Sequence, residues 1–215
     1  MNYYTADLHL GYTPILHDTA RPFKTIEEMD QTLIANWNQK VTPQDTVYIV
    51  GDFSYNNGIV PLDYLKQLNG KKHLIRGNHE TGMPDAQKYY ECCESVTDFL
   101  EINDGDSHIL LCHYPILYGK RGYMIHGHIH NQRNAAYTIL KSLSRVLNAG
   151  VDINFYFPAS LAELIENNRR YYSGQYPELF PIPPKPDRSQ KDVKSNIPDF
   201  RPLPSRPAGQ TGGSL

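Results

Sequence analysis

Residues 46–52, TVYIVGD, decide the fold. Thr46 to Val50 are β-branched, aromatic or aliphatic without clean polar alternation, as in a strand covered on both faces, and they lead directly into Gly51-Asp52. The same order appears in residues 2–9, NYYTADLH, where a strand from Asn2 to Ala6 ends at Asp7-Leu8-His9. It appears again in residues 73–80, HLIRGNHE, where a strand from His73 to Arg76 ends at Gly77-Asn78-His79-Glu80. Helices fill the intervals. Thr25 followed by Glu28 reads as a capping box, and Ile26, Met29, Leu33, Ile34 and Trp37 recur at helical spacing, so a helix is expected from about Ile26 to Lys40. A second is expected over Pro61 to Leu68, before Asn69-Gly70. Strand, polar motif and helix in repetition make an α/β protein.

Downstream, Pro84 opens a helix toward Cys92, and strands are expected over Val96 to Ile102 and Ser107 to Cys112, joined by the Asp104-Gly105 turn. The second of these ends at His113. Tyr123 to His126 reads as a strand ending at Gly127, and Val146 to Phe157 as one or two more. Ser160 and Glu163 cap a last helix running to about Arg170. Nine of the sixteen prolines fall in the final 43 residues, which sets a domain of residues 1–172 apart from a proline-rich tail, 173–215. Polyproline II and disorder are expected of Ile182-Pro183-Pro184-Lys185-Pro186, and a peptide-binding partner with an aromatic-lined groove is the alternative.

The net charge of -2 gives no sign of a broad basic surface for duplex nucleic acid. No apolar run approaches the roughly 18 residues of a membrane span, nothing at Met1 resembles a signal peptide, and a cytoplasmic location is expected. Three cysteines, two of them adjacent, make a poor disulfide framework and hold no C-x-x-C pair, so reduced structural thiols are expected. Of nine histidines, four crowd between His113 and His130.

Five motifs thus stand in order at expected strand ends: Asp7-Leu8-His9, Gly51-Asp52, Gly77-Asn78-His79-Glu80, His113 and Gly127-His128-Ile129-His130. Loops at the carboxyl ends of strands in an open α/β sheet gather at one site, so distant motifs can converge. Within a motif, residues i and i+2 of extended chain point the same way, which would aim Asp7 with His9, and His128 with His130, at one cavity. Carboxylate, amide oxygen and imidazole suit manganese, iron or zinc rather than calcium, which prefers oxygen alone. Any one of these residues alone reads equally well as a loop cap; the ordered set does not.

The ordered set resembles the pattern D-x-H, G-D, G-N-H-[D/E], H, G-H-x-H of the calcineurin-like metallophosphoesterases, over about residues 1 to 150. Arg21-Pro22-Phe23 looks like compact bacterial and phage members of that family. The resemblance implies a four-layer α/β/β/α sandwich of two mixed β-sheets flanked by helices. It also implies two divalent metal ions, manganese first, with iron, zinc, nickel or cobalt as alternatives. One would be held by Asp7, His9, Asp52 and His130, the other by Asp52, Asn78, His113 and His128, with Asp52 shared. A hydroxide bridging the two would attack phosphorus, and His79 would stand near the leaving-group oxygen as a catalytic residue.

Other residues carry less. His126 is expected to be structural rather than substrate-facing, Arg21 and Arg121 to be solvated although their loops could overhang the site, and Asn148 and Asp152 to be structural. Glu80 stays outside the catalytic set, as a loop-shaping, helix-start or surface carboxylate. Ser/Thr protein phosphatases extend G-D into G-D-x-V-D-R-G, whereas Tyr55 here occupies the acid position and the arginine is absent. A small phosphodiester or nucleotide-type substrate is expected, with a phosphomonoester next. A protein-interaction scaffold on the same fold, as in retromer's phosphoesterase-like subunit, is the alternative from another class.

Overall fold

The computed structural model describes residues 1–55, 61–80, 91–117 and 122–174. The helix expected from Pro84, Arg121 and nearly all of the proline-rich tail lie outside the described residues. The chain divides into Met1–Lys185 and Pro186–Leu215; the second unit is wholly outside them.

In chain order the first unit contains β1 (Asn2–Thr5), α1 (Ile15–Asp18), α2 (Ile26–Lys40), β2 (Thr46–Val50), α3 (Pro61–Leu65), β3 (Lys71–Ile75), β4 (Ser95–Thr97), β5 (Phe99–Asp104), β6 (Ser107–Cys112) and β7 (Tyr123–His126). Then follow α4 (Ala135–Leu140), β8 (Val146–Asn148), a 3-10 turn (Val151–Ile153) and α5 (Leu161–Ser173). One four-stranded sheet runs β1-β2-β3-β4, with every neighbour parallel and an isolated antiparallel bridge from Tyr4 to Ala159 at its edge. The other runs β5-β6-β7-β8 and is mixed, β5 being antiparallel to β6 and the rest parallel.

The strand period of two sorts the core into layers. Tyr3, Val47, Ile49 and Leu74 pack with Met29, Leu33 and Trp37 of α2 and Tyr64 and Leu65 of α3. Tyr4, Tyr48, Val50 and Ile75 turn the other way, onto Ile109, Leu111, Ile125 and Leu147 of the second sheet. That sheet's remaining face, with Leu110, Cys112, Met124 and Val146, packs on Leu140 of α4. The order of layers is therefore α/β/β/α, with β2 covered on both faces, which is why TVYIV lacks alternation.

Cap chemistry accounts for the two long helices. Thr25 Oγ1 accepts from Glu28 N (3.2 Å) at the start of α2, and Ser160 and Glu163 complete a reciprocal capping box on α5, which ends on Gly174 in the left-handed region. One expectation is corrected. Val96 to Ile102 is not one strand: β4 pairs with β3 in the first sheet and β5 with β6 in the second, and the chain changes sheets at Asp98. There Arg76 takes both carboxylate oxygens, each at 2.8 Å. Val146 to Phe157 supplies one strand and then the 3-10 turn, tied by Asn154 Nδ2 to the carbonyls of Asn148 (3.2 Å) and Gly150 (2.8 Å). The short helices α1 and α4 were not expected. All three cysteines are free, and among the described residues no helix is long and apolar enough to cross a membrane.

Candidate metal centre

Parallel neighbours end on the same side of a sheet. Thr5 pairs with Ile49 and Val50 with Ile75, so β1, β2 and β3 release Asp7, Asp52 and Asn78 together. In the second sheet Leu111 pairs with Ile125, so β6 and β7 release His113, His128 and His130 together. The loops continue the pairing: Asp7 N donates to Gly51 O (3.0 Å), His9 N to Asp52 O (3.1 Å), and His128 N crosses between the sheets to Asp7 Oδ1 (2.9 Å).

The side chains are not aimed by extended backbone. Asp7, His9, Asp52, His128 and His130 all lie in the left-handed region, with φ of 57, 52, 53, 71 and 48°. For a non-glycine residue that conformation costs on the order of 1 kcal/mol, and clusters of it mark sites whose surroundings over-determine them. Both members of each i, i+2 pair are left-handed, so extended backbone does not set their direction, and His128 and His130 join different triads. Close approach explains two glycines. A Cβ on Gly51 (φ 87°) would collide with the His113 ring, and one on Gly77 with the Asp52 carboxylate.

Three triads have ligand atoms within 4.8 Å of one another: Asp7, His9 and His130; His9, Asp52 and His79; Asp52, His113 and His128. Asn78 Oδ1 joins them, 3.0 Å from His113 Nε2 and 2.9 Å from His128 Nδ1. Asp7 Oδ2 and both ring nitrogens of His9 are buried without a hydrogen-bond partner. Buried polar atoms are nearly always paired, so these orphans, in a set of carboxylate, amide and imidazole donors, fit a divalent transition metal. Burial pushes the Asp7 carboxyl up and His9 down, each toward its neutral form, a cost that a cation between them would remove. Burial also opposes charge on Asp52, but bonds from His113 and the His79 N–H hold it well below the usual carboxylate range. His113 is pushed up to about 9, burial being outweighed by Asp52 and Asp7. Its Nδ1 donates to Val50 O (3.0 Å), which leaves Nε2 for the cavity.

All seven expected ligands thus come together, and His79 stands with them. Its ring meets that of His9 edge-on with centroids 4.6 Å apart, its Nε2 lies 4.0 Å from Asp52 Oδ2, and its side chain is 21% exposed. Aromatic rings rim the site. Tyr12 and Tyr55 pack on each other (4.8 Å) and on His79 (5.5 and 5.8 Å), while Tyr114 packs on His128 (4.8 Å). Tyr55 and Tyr114 keep 43% and 46% exposure.

Glu80 is no surface carboxylate. It is buried, and it accepts from Asp52 N (2.9 Å), Phe53 N (2.8 Å) and Gly77 N (2.7 Å), so it shapes two ligand loops at once. Arg21 is neither solvated nor overhanging. It is buried beneath the Asp7-Leu8-His9 turn, donating to Asp7 O (2.7 Å) and Leu8 O (2.8 Å) and pairing with Asp152, whose Oδ2 also lies 3.0 Å from His130 Nδ1. Asn148 Nδ2 donates to His130 O (2.8 Å) and is structural as expected. His126 is fully buried, its Nδ1 2.8 Å from Gly127 O, and burial pushes it down to about 4, so it is a neutral packing group. The only sequence signals for Glu80 and Arg21 are the fourth letter of Gly-Asn-His-Glu and the Arg21-Pro22-Phe23 stretch.

The chain is 32% identical over 172 residues to an uncharacterized protein of Methanocaldococcus jannaschii, covering 78% of this chain and 92% of that one. It is 29% identical over 160 residues to the Gene 66 protein of Mycobacterium phage L5, covering 60% and 77%. A crystal structure of a protein of unknown function from Aquifex aeolicus superposes with a TM-score of 0.61 at 27% identity, covering 77% of this chain and 98% of that one. The model of the calcineurin-like phosphoesterases matches residues 3–158, from the first residues of β1 to beyond the 3-10 turn that carries Asp152. The chain belongs to the calcineurin-like phosphoesterase family.

Proposed function

We propose that this protein is a dinuclear metal-dependent phosphoesterase that hydrolyses a small phosphodiester or nucleotide-type ester. The observation that carries the reading is the convergence of seven donors from both sheets around buried, unpartnered atoms of Asp7 and His9. Asp7, His9, Asp52 and His130 hold one divalent ion, Asp52, Asn78, His113 and His128 the second, and Asp52 is shared. Two such ions, when bound, supply a nucleophile from water at neutral pH and neutralise charge on the phosphoryl oxygens. Manganese is the metal we expect. His79, whose side chain is 21% exposed, donates a hydrogen bond or proton to the leaving-group oxygen. The exposed rings of Tyr55 and Tyr114, with the partly buried Tyr12 behind Tyr55, favour an ester group with a flat ring, such as a nucleobase, which gains by stacking. Residues 1–172, which carry every proposed ligand and His79, are the catalytic domain in this reading.

Purified protein reconstituted with manganese should cleave bis-p-nitrophenyl phosphate faster than p-nitrophenyl phosphate. The reverse order would overturn the diester preference, and no turnover of either would overturn the enzyme reading. His79→Ala should separate leaving groups. An alkyl ester, whose alkoxide needs a proton, should lose roughly 10²–10⁴ in rate, and a p-nitrophenyl ester much less. Equal losses on both would remove His79 from the leaving group.

A further inference from the structure

The Arg21–Asp152 ion pair is fully enclosed, with both side chains at 0% exposure. Its partners lie 131 residues apart, Arg21 before α2 and Asp152 in the 3-10 turn after β8. Arg21 Nε and Nη2 reach the two oxygens of Asp152 at 2.8 and 3.2 Å. Three further side-chain bonds of the pair lead to the metal centre: Nη2 to Asp7 O, Nη1 to Leu8 O, and Asp152 Oδ2 to His130 Nδ1. Nη1 also reaches Met29 Sδ at 3.2 Å. A buried ion pair is weak as a source of stability, since desolvation offsets most of the attraction. Placing ligands is a different benefit, and one that the bonding pattern matches.

We propose that Asp152, locked in place by Arg21, is the positioning residue for His130, and that this one ion pair aligns Asp7, His9 and His130 as donors of one half of the metal centre. A carboxylate only accepts, so it fixes the proton on His130 Nδ1 and turns Nε2 toward the cavity. The guanidinium holds the carbonyls of the turn whose left-handed residues present Asp7 and His9. The other half is held differently: among the described residues His113 Nδ1 bonds a backbone carbonyl, Val50 O, rather than a carboxylate. Loss of the pair therefore affects the two metal positions unequally.

The inference rests on the reading of His130 as a metal ligand, and the test separates the two. Metal stoichiometry and affinity are measured on the full chain by calorimetric titration with manganese, beside the melting temperature of the metal-free protein. Asp152→Leu alone would leave a buried guanidinium unpaired and risks misfolding; Arg21→Met with Asp152→Leu removes both charges at similar volume. The double variant should fold, keep one ion at wild-type affinity and bind the other about 10–100-fold more weakly. In the zinc-loaded wild type, nitrogen NMR of His130 should show Nδ1 protonated and Nε2 metal-bound. Two ions at wild-type affinity in the double variant would overturn the proposal while leaving the metal centre intact. A wild type that binds no divalent ion would overturn both.

Discussion

Glu80 gives three backbone N–H groups, from Asp52, Phe53 and Gly77, their acceptor. Burial, and then the charge on Asp52, push its carboxyl up, while those three bonds draw it down. Each buried donor left without a partner costs about 1–3 kcal/mol, so Glu80→Ala should lower the unfolding free energy by roughly 3 kcal/mol or more. Urea denaturation would measure this through a lower midpoint at unchanged slope. A loss below about 1 kcal/mol would mean that the loops have other anchors. The ligand residues were legible in the sequence because their side-chain chemistry is unusual in ordered company. Glu80 and Arg21 were not, because their roles lie in bonds to backbone atoms up to 28 residues away in the chain, and a lone glutamate or arginine carries no such mark. The left-handed conformation of Asp7, His9, Asp52, His128 and His130 was equally hidden. Asp and His enter that region more readily than most residues, but the bonds around them decide which ones do.

At the scale of elements, legibility followed local chemistry. Helices α2 and α5 carry their own caps and apolar stripe, β1 and β2 their β-branched and aromatic runs, and β3 its place just before Gly77-Asn78-His79-Glu80, so all five could be read. The break at Asp98 could not, because β4 and β5 differ in the sheet they join and hardly in composition. Nor could the turn after β8, where Asn154 bonds backbone rather than extending a strand. The turn from α2 into β2 can be tested by pH. Asp45 Oδ1 receives the Met1 amino group at 2.6 Å, and Oδ2 receives Thr42 N (2.8 Å) and Thr42 Oγ1 (2.7 Å). The amino group foremost, then Thr42, hold the carboxyl down to about 2. The unfolded value is about 3.9, so the folded state binds its proton less readily. The stabilisation is full above about pH 4 and fades as pH falls toward 2. The melting temperatures of wild type and Asp45→Asn should differ at about pH 6 and converge near pH 2. A gap independent of pH would show that the carboxylate's charge is not what holds this turn.

For the whole molecule, the two sheets are joined by an apolar interior, Tyr4, Tyr48, Val50 and Ile75 on one side against Ile109, Leu111, Ile125 and Leu147 on the other. At the carboxyl edge the interior gives way to charge. Asp7, His9, Asp52 and Asn78 come from the first sheet, His113, His128 and His130 from the second, and the His128 N bond to Asp7 Oδ1 is a direct tie between them. Each proposed ion takes donors from both sheets, so metal is expected to clamp the sandwich as well as serve the reaction. An ion that binds only the folded chain adds RT ln(1 + [L]/Kd), about 2.7 kcal/mol per site at a hundredfold excess over Kd. In a domain of this size that raises the melting temperature by roughly 5–10 °C. Scanning calorimetry should therefore show a transition that falls on chelation and climbs with manganese concentration. Calcium should do little in its place, because four of the seven donors are imidazole nitrogens and calcium takes oxygen. Substitution of Asp52, the shared donor, by Asn should flatten the manganese dependence, whereas substitution of the rim residue Tyr114 should leave it intact. A melting temperature indifferent to chelator and manganese alike would mean that these seven donors hold no ion in the folded protein.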